Sequence, residues 1–205
     1  MQAAKTQMKY KIIYADPPWT YDNQKDNNPA MGGITYPTMT DEQIYCLPIK
    51  EIADADSALF LWATMPKLPQ AIQVISKWGF RFITVAFVWV KQNPNADYRQ
   101  PTFFYPKEKD AFNIYSGLGH WTNGNAELVL MGKRGSPKRQ TKNVKQIILE
   151  PRSRHSAKPQ EARNRIVRLM GDVARIELFA REREEGWAAW GNEIKSDIEL
   201  TECSL

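Results

Sequence analysis

The residues best suited to chemistry are Asp16-Pro17-Pro18-Trp19. They follow a short apolar run, Lys11-Ile12-Ile13-Tyr14-Ala15, that reads as a buried strand. The prolines end that strand at once, because the first removes a backbone donor and both fix φ. A carboxylate, two ring-locked carbonyls and an indole are thereby held at the carboxyl end of a strand, the edge where open α/β sheets bind ligands. The grouping suits gripping the exocyclic amino group of a flat nucleobase. In adenine that nitrogen is a poor nucleophile, because its lone pair is delocalised into the ring. The Asp16 carboxylate and the Pro17 carbonyl, aimed at its hydrogens, would draw it toward a tetrahedral shape. Charge-assisted bonds of this kind are about twice as strong as neutral ones, and they strengthen as positive charge develops on nitrogen. Trp19 offers a stacking face, worth roughly 1–3 kcal/mol per base. A base must leave its stack to reach such a site, at a cost of about a few kcal/mol. The plainer alternative is a strand-ending turn with a buried Trp.

Strand-like and helix-like segments alternate along the chain, which predicts an α/β fold with a largely parallel sheet. After the first strand comes a polar loop, Thr20 to Thr38, and then a helix start with Thr40 as N-cap and Gln43 three residues on. Ser57–Thr64 reads as a second buried strand and Pro69–Trp78 as a helix closed by Gly79. Phe80–Lys91 is a long third strand rich in β-branched and aromatic residues. An irregular stretch, Asn93 to Asn125, precedes a strand over Glu127–Met131 that Gly132 is expected to end. Val144–Leu149 reads as a short strand, Lys158–Met170 as a helix closed by Gly171, and Val173–Phe179 as the last clear strand. The whole, 1–205, is expected to be a single domain with a core over about 10–194 and a loose polar tail at 195–205.

The 205 residues carry a formal net charge of +5, which leans toward a polyanionic partner. Lys133, Arg134, Lys138, Arg139, Lys142 and Lys145 form a basic run, with Arg152 and Arg154 shortly after. A solvated loop is its ordinary explanation, and phosphate contact beside the active edge is the functional one. The two cysteines, Cys46 and Cys203, allow no disulfide framework and no zinc spacing, and fit a reducing cytoplasm. No metal site is expected, and no apolar stretch is long enough to span a bilayer.

The chain resembles the MT-A70 family of adenosine N6-methyltransferases. The blocks that carry the resemblance are Ala15-Asp16-Pro17-Pro18-Trp19, Tyr36-Pro37-Thr38-Met39-Thr40-Asp41-Glu42, Leu59-Phe60-Leu61-Trp62 and Gly119-His120-Trp121. After them come His155-Ser156-Ala157-Lys158-Pro159, Ile176-Glu177-Leu178-Phe179-Ala180-Arg181 and Trp190-Gly191-Asn192. Together they run from about Tyr10 to Ile194, and their order makes the signal specific.

The resemblance implies a Rossmann-like methyltransferase fold, with a circularly permuted, mostly parallel sheet flanked by helices. It implies S-adenosyl-L-methionine as methyl donor and adenine as acceptor, with Asp16, Pro17, Pro18 and Trp19 catalytic. Cofactor contacts fall on Asp16, Lys158, Glu177, Phe179, Arg181, Asn192 and Glu193. Of these, Glu177 would accept from the ribose hydroxyls or the ammonium group. Lys158, at a helix start, would meet the methionine carboxylate. Arg183 and Glu184 stand where the eukaryotic enzyme has a His-Asn pair, a departure beside those contacts.

Substrate contacts fall on Tyr36, His120, Trp121 and Glu127, with Lys133, Arg134, Lys138, Arg139 and Arg154 facing phosphate. Tyr36 reads equally as a loop anchor, and Glu127 as a polar strand edge. Prokaryotic and phage members are similar in size to this chain. That favours DNA over RNA as substrate and a location in the cytoplasm of a prokaryote or a phage-infected host. An RNA enzyme and a non-catalytic nucleic-acid-binding partner subunit are the alternatives. The 93–125 region is a candidate for base or groove recognition, or for packing against a second subunit in a homodimer.

Overall fold

Strand β1 (Tyr10–Ala15) forms over the apolar run, and Ile12, Ile13, Tyr14 and Ala15 are all at or below 1% exposure. Such a continuous run, buried on both faces, belongs in the middle of a parallel sheet. In the computed structural model, which describes residues 8–21, 36–94, 114–117, 121–152 and 157–201, that is where it lies. The other strands are β2 (Ala53–Ala63), β3 (Arg81–Gln92), β4 (Ala126–Arg134), β5 (Ile147–Pro151), β6 (Arg175–Leu178) and β7 (Ala188–Trp190). The helices are α1 (Asp41–Cys46), α2 (Ile49–Ile52), α3 (Leu68–Lys77) and α4 (Gln160–Met170). The seven strands make one mixed sheet in the order β5-β3-β4-β2-β1-β6-β7, flanked by helices, which is the expected Rossmann-like α/β class. The chain divides into two compact units, residues 1–84, 130–137 and 173–205, and residues 85–129 and 138–172; β3 and β4 contribute to both.

In the first unit β1 pairs in parallel with β2 on one side and β6 on the other, so that Ala15 stands level with both Leu61 and Leu178. From β1 the chain moves to β2 on one flank, and it returns much later to β6 on the other. The carboxyl ends of β1 and β6 therefore flank a topological switch point, the crevice where ligands bind in open α/β sheets. The buried Tyr14 hydroxyl accepts from the Trp62 indole N–H at 2.6 Å, and the Tyr14 ring also meets Trp187 at 5.8 Å between centroids. The core thus closes around β1 without an orphaned polar group on this tyrosine.

Helix α1 starts on the expected capping box: Thr40 Oγ1 accepts from the Gln43 N–H, and Gln43 Oε1 accepts from the Thr40 N–H. The α3 helix ends near Gly79, whose φ of 82° suits a glycine, and the Trp78 indole ties that end to the Ile44 carbonyl at 2.8 Å.

Several boundaries differ from expectation. Strand β2 starts at Ala53 and β5 at Ile147. Strand β4 runs through Gly132 to Arg134, because this glycine is a packing residue and not a breaker. A Cβ there would lie 2.8 Å from Ile75 Cγ2 and 3.1 Å from Phe80 Cβ. Strand β7 follows the segment expected to be last. The start of the expected loose tail is tied to it: Asp197 accepts from the Ala189 N–H through its carboxylate and donates its own N–H to the Ala189 carbonyl. Both backbone groups on the outer side of β7 at Ala189 are thereby taken.

In the second unit β5 pairs in parallel with β3 from Val88↔Ile147 to Gln92↔Pro151. Its other edge is covered by Arg165 of α4, whose guanidinium donates to the Lys145 and Ile147 carbonyls, both at 2.7 Å. Covering edge carbonyls in this way blocks strand addition. The end of β3 is also gripped by the irregular region that follows it. Lys91 donates its N–H to Asn125 O and accepts from the Tyr115 N–H, each at 2.8 Å.

Gly191 is the tightest backbone approach in the first unit. A Cβ there would fall 2.1 Å from Ala180 O and 2.8 Å from Ala180 N, atoms that cannot swing aside. Gly191→Ala is therefore expected to cost about 3 kcal/mol through overpacking. The urea unfolding midpoint measures this, and an unchanged midpoint would contradict the close approach.

Candidate active site

The turn after β1 is held by its own backbone. The Trp19 N–H donates to Pro17 O at 2.9 Å, a γ-turn centred on Pro18, and the Met39 N–H donates to Pro18 O at 2.9 Å. Trp19 forms a bridge with Met39, and Thr20 Oγ1 donates to Met39 O at 2.8 Å. The two ends of the loop that carries Tyr36 are thus joined just before the Thr40 cap. Asp16 is half-buried at the switch point, one residue past the level of Leu178. The Pro17 carbonyl keeps a second lone pair beyond the one used in the turn. Trp19 itself is 4% exposed, with its indole nitrogen buried and without a hydrogen-bond partner. This corrects the expected stacking face: the ring is a core anchor for the turn, because its neighbours enclose it.

At the end of β6, Glu177 is 7% exposed and stands level with Tyr14 and Ala189. Phe179 follows with a φ of 61°, a left-handed conformation that costs a bulky residue about 1–3 kcal/mol. Its ring meets Trp190 edge-on at 5.3 Å. The reversal it introduces, with the Gly191–Ala180 approach, brings Arg181 beside Glu193, Nε to Oε1 at 2.7 Å. The same guanidinium lies 5.7 Å from the Tyr36 ring. Three residues singled out in the sequence, Tyr36, Arg181 and Glu193, therefore meet. Asn192 is exposed beside them in sequence.

The second unit contains a buried charge cluster. Glu127 of β4 accepts from Lys91 at 2.5 Å through Oε1 and lies 3.3 Å from Lys158 Nζ through Oε2. The Lys91, Glu127 and Lys158 side chains are 19%, 13% and 9% exposed. Neither Glu127 as a polar edge nor Lys158 as a solvated surface lysine fits this burial. Burial alone would raise the Glu127 carboxyl, but Lys158 and Lys91 outweigh it and hold it below the ordinary carboxylate range. Lys91 was missing from the sequence-based set. Its one signal is a charge closing the apolar run Val88-Trp89-Val90.

Lys133 and Arg134 are not at the expected edge. Arg134 donates to Lys50 O at 2.9 Å, and Ser136 N–H donates to Asp56 at 2.6 Å, so this turn sits at the amino-terminal part of β2. Asp16 follows the level of Leu61, about 16 Å further along that strand at ~3.3 Å per residue. Phosphate contact beside Asp16 by these two residues is thus corrected by the parallel register. Lys138 and Arg139 are exposed in the second unit, before Gln140, which donates to Leu169 O near the end of α4. Trp121 is 98% exposed, while His120 and Arg154 lie outside the described residues. Among the described residues, no group of His, Cys, Asp and Glu is arranged to hold a metal ion, and no helix is long and apolar enough to cross a membrane.

The MT-A70 profile matches residues 10–193. The chain belongs to the MT-A70 family. It is 31% identical over 204 residues to the Type II methyltransferase M.MunI of Mycoplasma sp, covering 91% of this chain and 78% of that protein. It is 28% identical over 190 residues to the N(6)-adenosine-methyltransferase catalytic subunit METTL3 of Homo sapiens, again over 91% of this chain but only 28% of the relative. The Medicago truncatula putative N(6)-adenosine-methyltransferase MT-A70-like protein is 25% identical over 199 residues, with the same 28% of its length covered. This is a methyltransferase family, and two of the blocks of resemblance, 15–19 and 176–181, fall on the two strand ends that flank the switch point.

The depressed Glu127 carboxyl has a pH signature. A carboxyl whose folded pKa lies below its unfolded value contributes stability above the unfolded pKa and loses it as pH falls through the folded one. Glu127→Gln is expected to cost about 3 kcal/mol near neutral pH, as for one partner removed from a buried pair. The difference from wild type should shrink as pH drops below the ordinary carboxylate range. Urea unfolding across pH tests this, and a gap that stays constant would exclude an ionised Glu127.

Proposed function

We propose that this protein is an S-adenosyl-L-methionine-dependent methyltransferase that modifies the N6 amino group of adenine in DNA. One observation carries the reading: an intact Asp-Pro-Pro-Trp turn, rigidly bonded, at the carboxyl end of the strand that flanks the switch point. Asp16 and the free lone pair of Pro17 O hold the two amino hydrogens, and Trp19 and Met39 keep the turn in place. The acceptor nitrogen is positioned and made more pyramidal, so that most of the rate gain comes from placement and from hydrogen bonds that strengthen as charge develops.

The donor set suits such a cofactor. A buried acid, Glu177, and an aromatic held in a strained conformation, Phe179, flank the switch point, and Lys158 is assigned to the methionine carboxylate on the resemblance. When bound, the cofactor supplies an electrophilic methyl on a sulfonium. The residues bind and orient it; Arg181, Asn192 and Glu193 line the turn beyond β6, and Tyr36 is steadied against Arg181. For the nucleic acid, Trp121 offers an open indole to a base, and exposed Lys138 and Arg139 offer charge to phosphate. His120 is assigned to the acceptor on the resemblance, and Arg154 to phosphate on its place just after the basic run.

The greater coverage of the Type II methyltransferase favours DNA, and the adenosine-methyltransferase relatives favour RNA as the second reading. A single catalytic domain, working in a prokaryotic or phage-infected cytoplasm, goes with the first.

Asp16→Ala is expected to lower methyl transfer at least about a thousandfold, in line with losing a principal transition-state hydrogen bond, and to weaken S-adenosylhomocysteine binding far less, since Asp16 is one of several cofactor contacts. Labelled methyl groups followed into matched DNA and RNA oligonucleotides measure the transfer. Full activity in Asp16→Ala removes the mechanism, and labelling of RNA alone moves the substrate assignment to the second reading.

A further inference from the structure

Lys67 is 8% exposed and ends a single 3₁₀ turn, Met65–Lys67, that follows the carboxyl end of β2. A lysine is seldom buried so far unless it is paired. Its ammonium donates to both oxygens of Asp41, at 2.9 and 3.0 Å, and lies 5.9 Å from the centre of the Tyr21 ring. The Tyr21 hydroxyl is 2.7 Å from the hydroxyl of Thr64, the residue directly after β2. One short stretch at the end of β2 thus grips two separate pieces of chain. Tyr21 lies just beyond the Asp16-Pro17-Pro18-Trp19 turn, and Asp41 just beyond Met39, whose N–H donates to Pro18 O at 2.9 Å. These contacts close a ring within the first unit. It runs from β1 through the proline turn to Met39, on through Asp41 and Lys67 to the end of β2, and back to β1 across the parallel pairing. Its one ionic link is the Lys67–Asp41 pair. Helix α1 does not need that link to start, because it has its own capping box.

We propose that Lys67 is a positioning residue for methyl transfer: by clamping Asp41 and Tyr21 to the end of β2, it fixes the turn that presents Asp16 and the Pro17 carbonyl to the acceptor amino group. The proposal rests on the role given above to that turn. Lys67 touches neither reactant in this role; it acts through Met39 and Pro18. Misplacing a reacting group by about 1 Å can cost roughly a hundredfold in rate, so a loosened ring shows in turnover. Glu177 and Phe179 stand at the end of β6, across β1 from β2, and the ring does not include them. Cofactor affinity is therefore spared. The plain alternative is a pair that only anchors α1. Removing one partner of a buried pair destabilises by leaving the other charge uncompensated, so stability and placement have to be separated.

The test is steady-state methyl transfer by the full chain, from labelled S-adenosyl-L-methionine into whichever of the DNA and RNA oligonucleotides wild type modifies. Each variant is assayed well below its own unfolding midpoint. Lys67→Met is expected to lower kcat about tenfold to a hundredfold. Its KM for the methyl donor and its calorimetric affinity for S-adenosylhomocysteine should stay within about twofold of wild type. The double variant Lys67→Met with Asp41→Asn is expected to regain thermal stability, because the uncompensated carboxylate is gone. It should keep the low kcat, because the link is still broken. Recovery of kcat along with stability, an unchanged kcat in Lys67→Met, or a loss of S-adenosylhomocysteine affinity as large as the loss of kcat would each overturn the proposal. If Lys67→Met does not fold, Lys67→Gln is judged by the same criteria, and failure of both to fold makes Lys67 a folding residue and overturns the proposal. If wild type methylates neither oligonucleotide, the proposed reaction fails and this inference falls with it; if wild type is active and Lys67→Met matches it, the inference fails alone.

Discussion

The position of Asp16 is set by the burial of the strand before it. Ile12, Ile13, Tyr14 and Ala15 lie within the sheet, between β2 and β6, at 1% exposure or less. A slip of one residue would exchange the two faces of β1 and disturb every one of these contacts. Because both faces are buried, the register is held less by burial as such than by keeping Lys11 out of the buried run and the Tyr14 hydroxyl on the Trp62 indole N–H. The prolines then stop the ladder at a fixed point. What looks like a local catalytic motif is thus located by a hydrophobic constraint several residues upstream, and the carboxylate inherits that precision.

The neighbouring strand end is made differently. Ile176 and Leu178 are buried, so β6 is also pinned by its apolar residues. Beyond it the chain leaves in a conformation that a phenylalanine adopts only under constraint. The constraint is visible in the backbone contact between Ala180 and Gly191 and in the Ala180 N–H donating to Trp190 O at 2.9 Å. These hold the reversal and deliver Arg181 to Glu193 and Tyr36. Strain at Phe179 is tolerated because the strand before it and the short strand after it are both anchored. Strain of this kind is common where a ligand must be approached closely.

The first strand, the capping box at Thr40 and Gln43, both long helices and the proline turn were legible in the sequence because each rests on a local rule: apolar runs, caps and fixed φ. Gly132 and strand β7 were not. Gly132 is set by the closeness of Ile75 and Phe80, and the three residues of β7 are too few for a period. The basic turn misled for a related reason. Charge in a sequence carries no direction, and only the parallel register shows that Arg134 belongs to the amino-terminal part of β2. Lys91 escaped notice because a charge at the end of an apolar strand is ordinary until its partner, 36 residues away, is known.

The same point bears on how a net charge of +5 should be read. Many of the arginines are spent inside the fold. Arg134 serves Lys50 O, Arg165 covers the β5 edge, and Arg183 holds both oxygens of Asp197 beside β7. Arg175 lies 5.5 Å from the Trp187 ring. Charges used this way lock edges and turns, and they contribute to a nucleic-acid surface only through long-range potential, which salt screens within about 10 Å at ~0.1 M. The second unit is different. Lys138, Arg139, Lys142 and Lys145 are exposed there, Arg152 is exposed and stacks over Tyr115 at 3.4 Å, and Trp121 is almost wholly open. Exposed cations and an open or stacked aromatic on one unit are the residue types that bind a backbone and its bases. On the DNA reading it is this unit, more than the overall charge, that should carry the substrate.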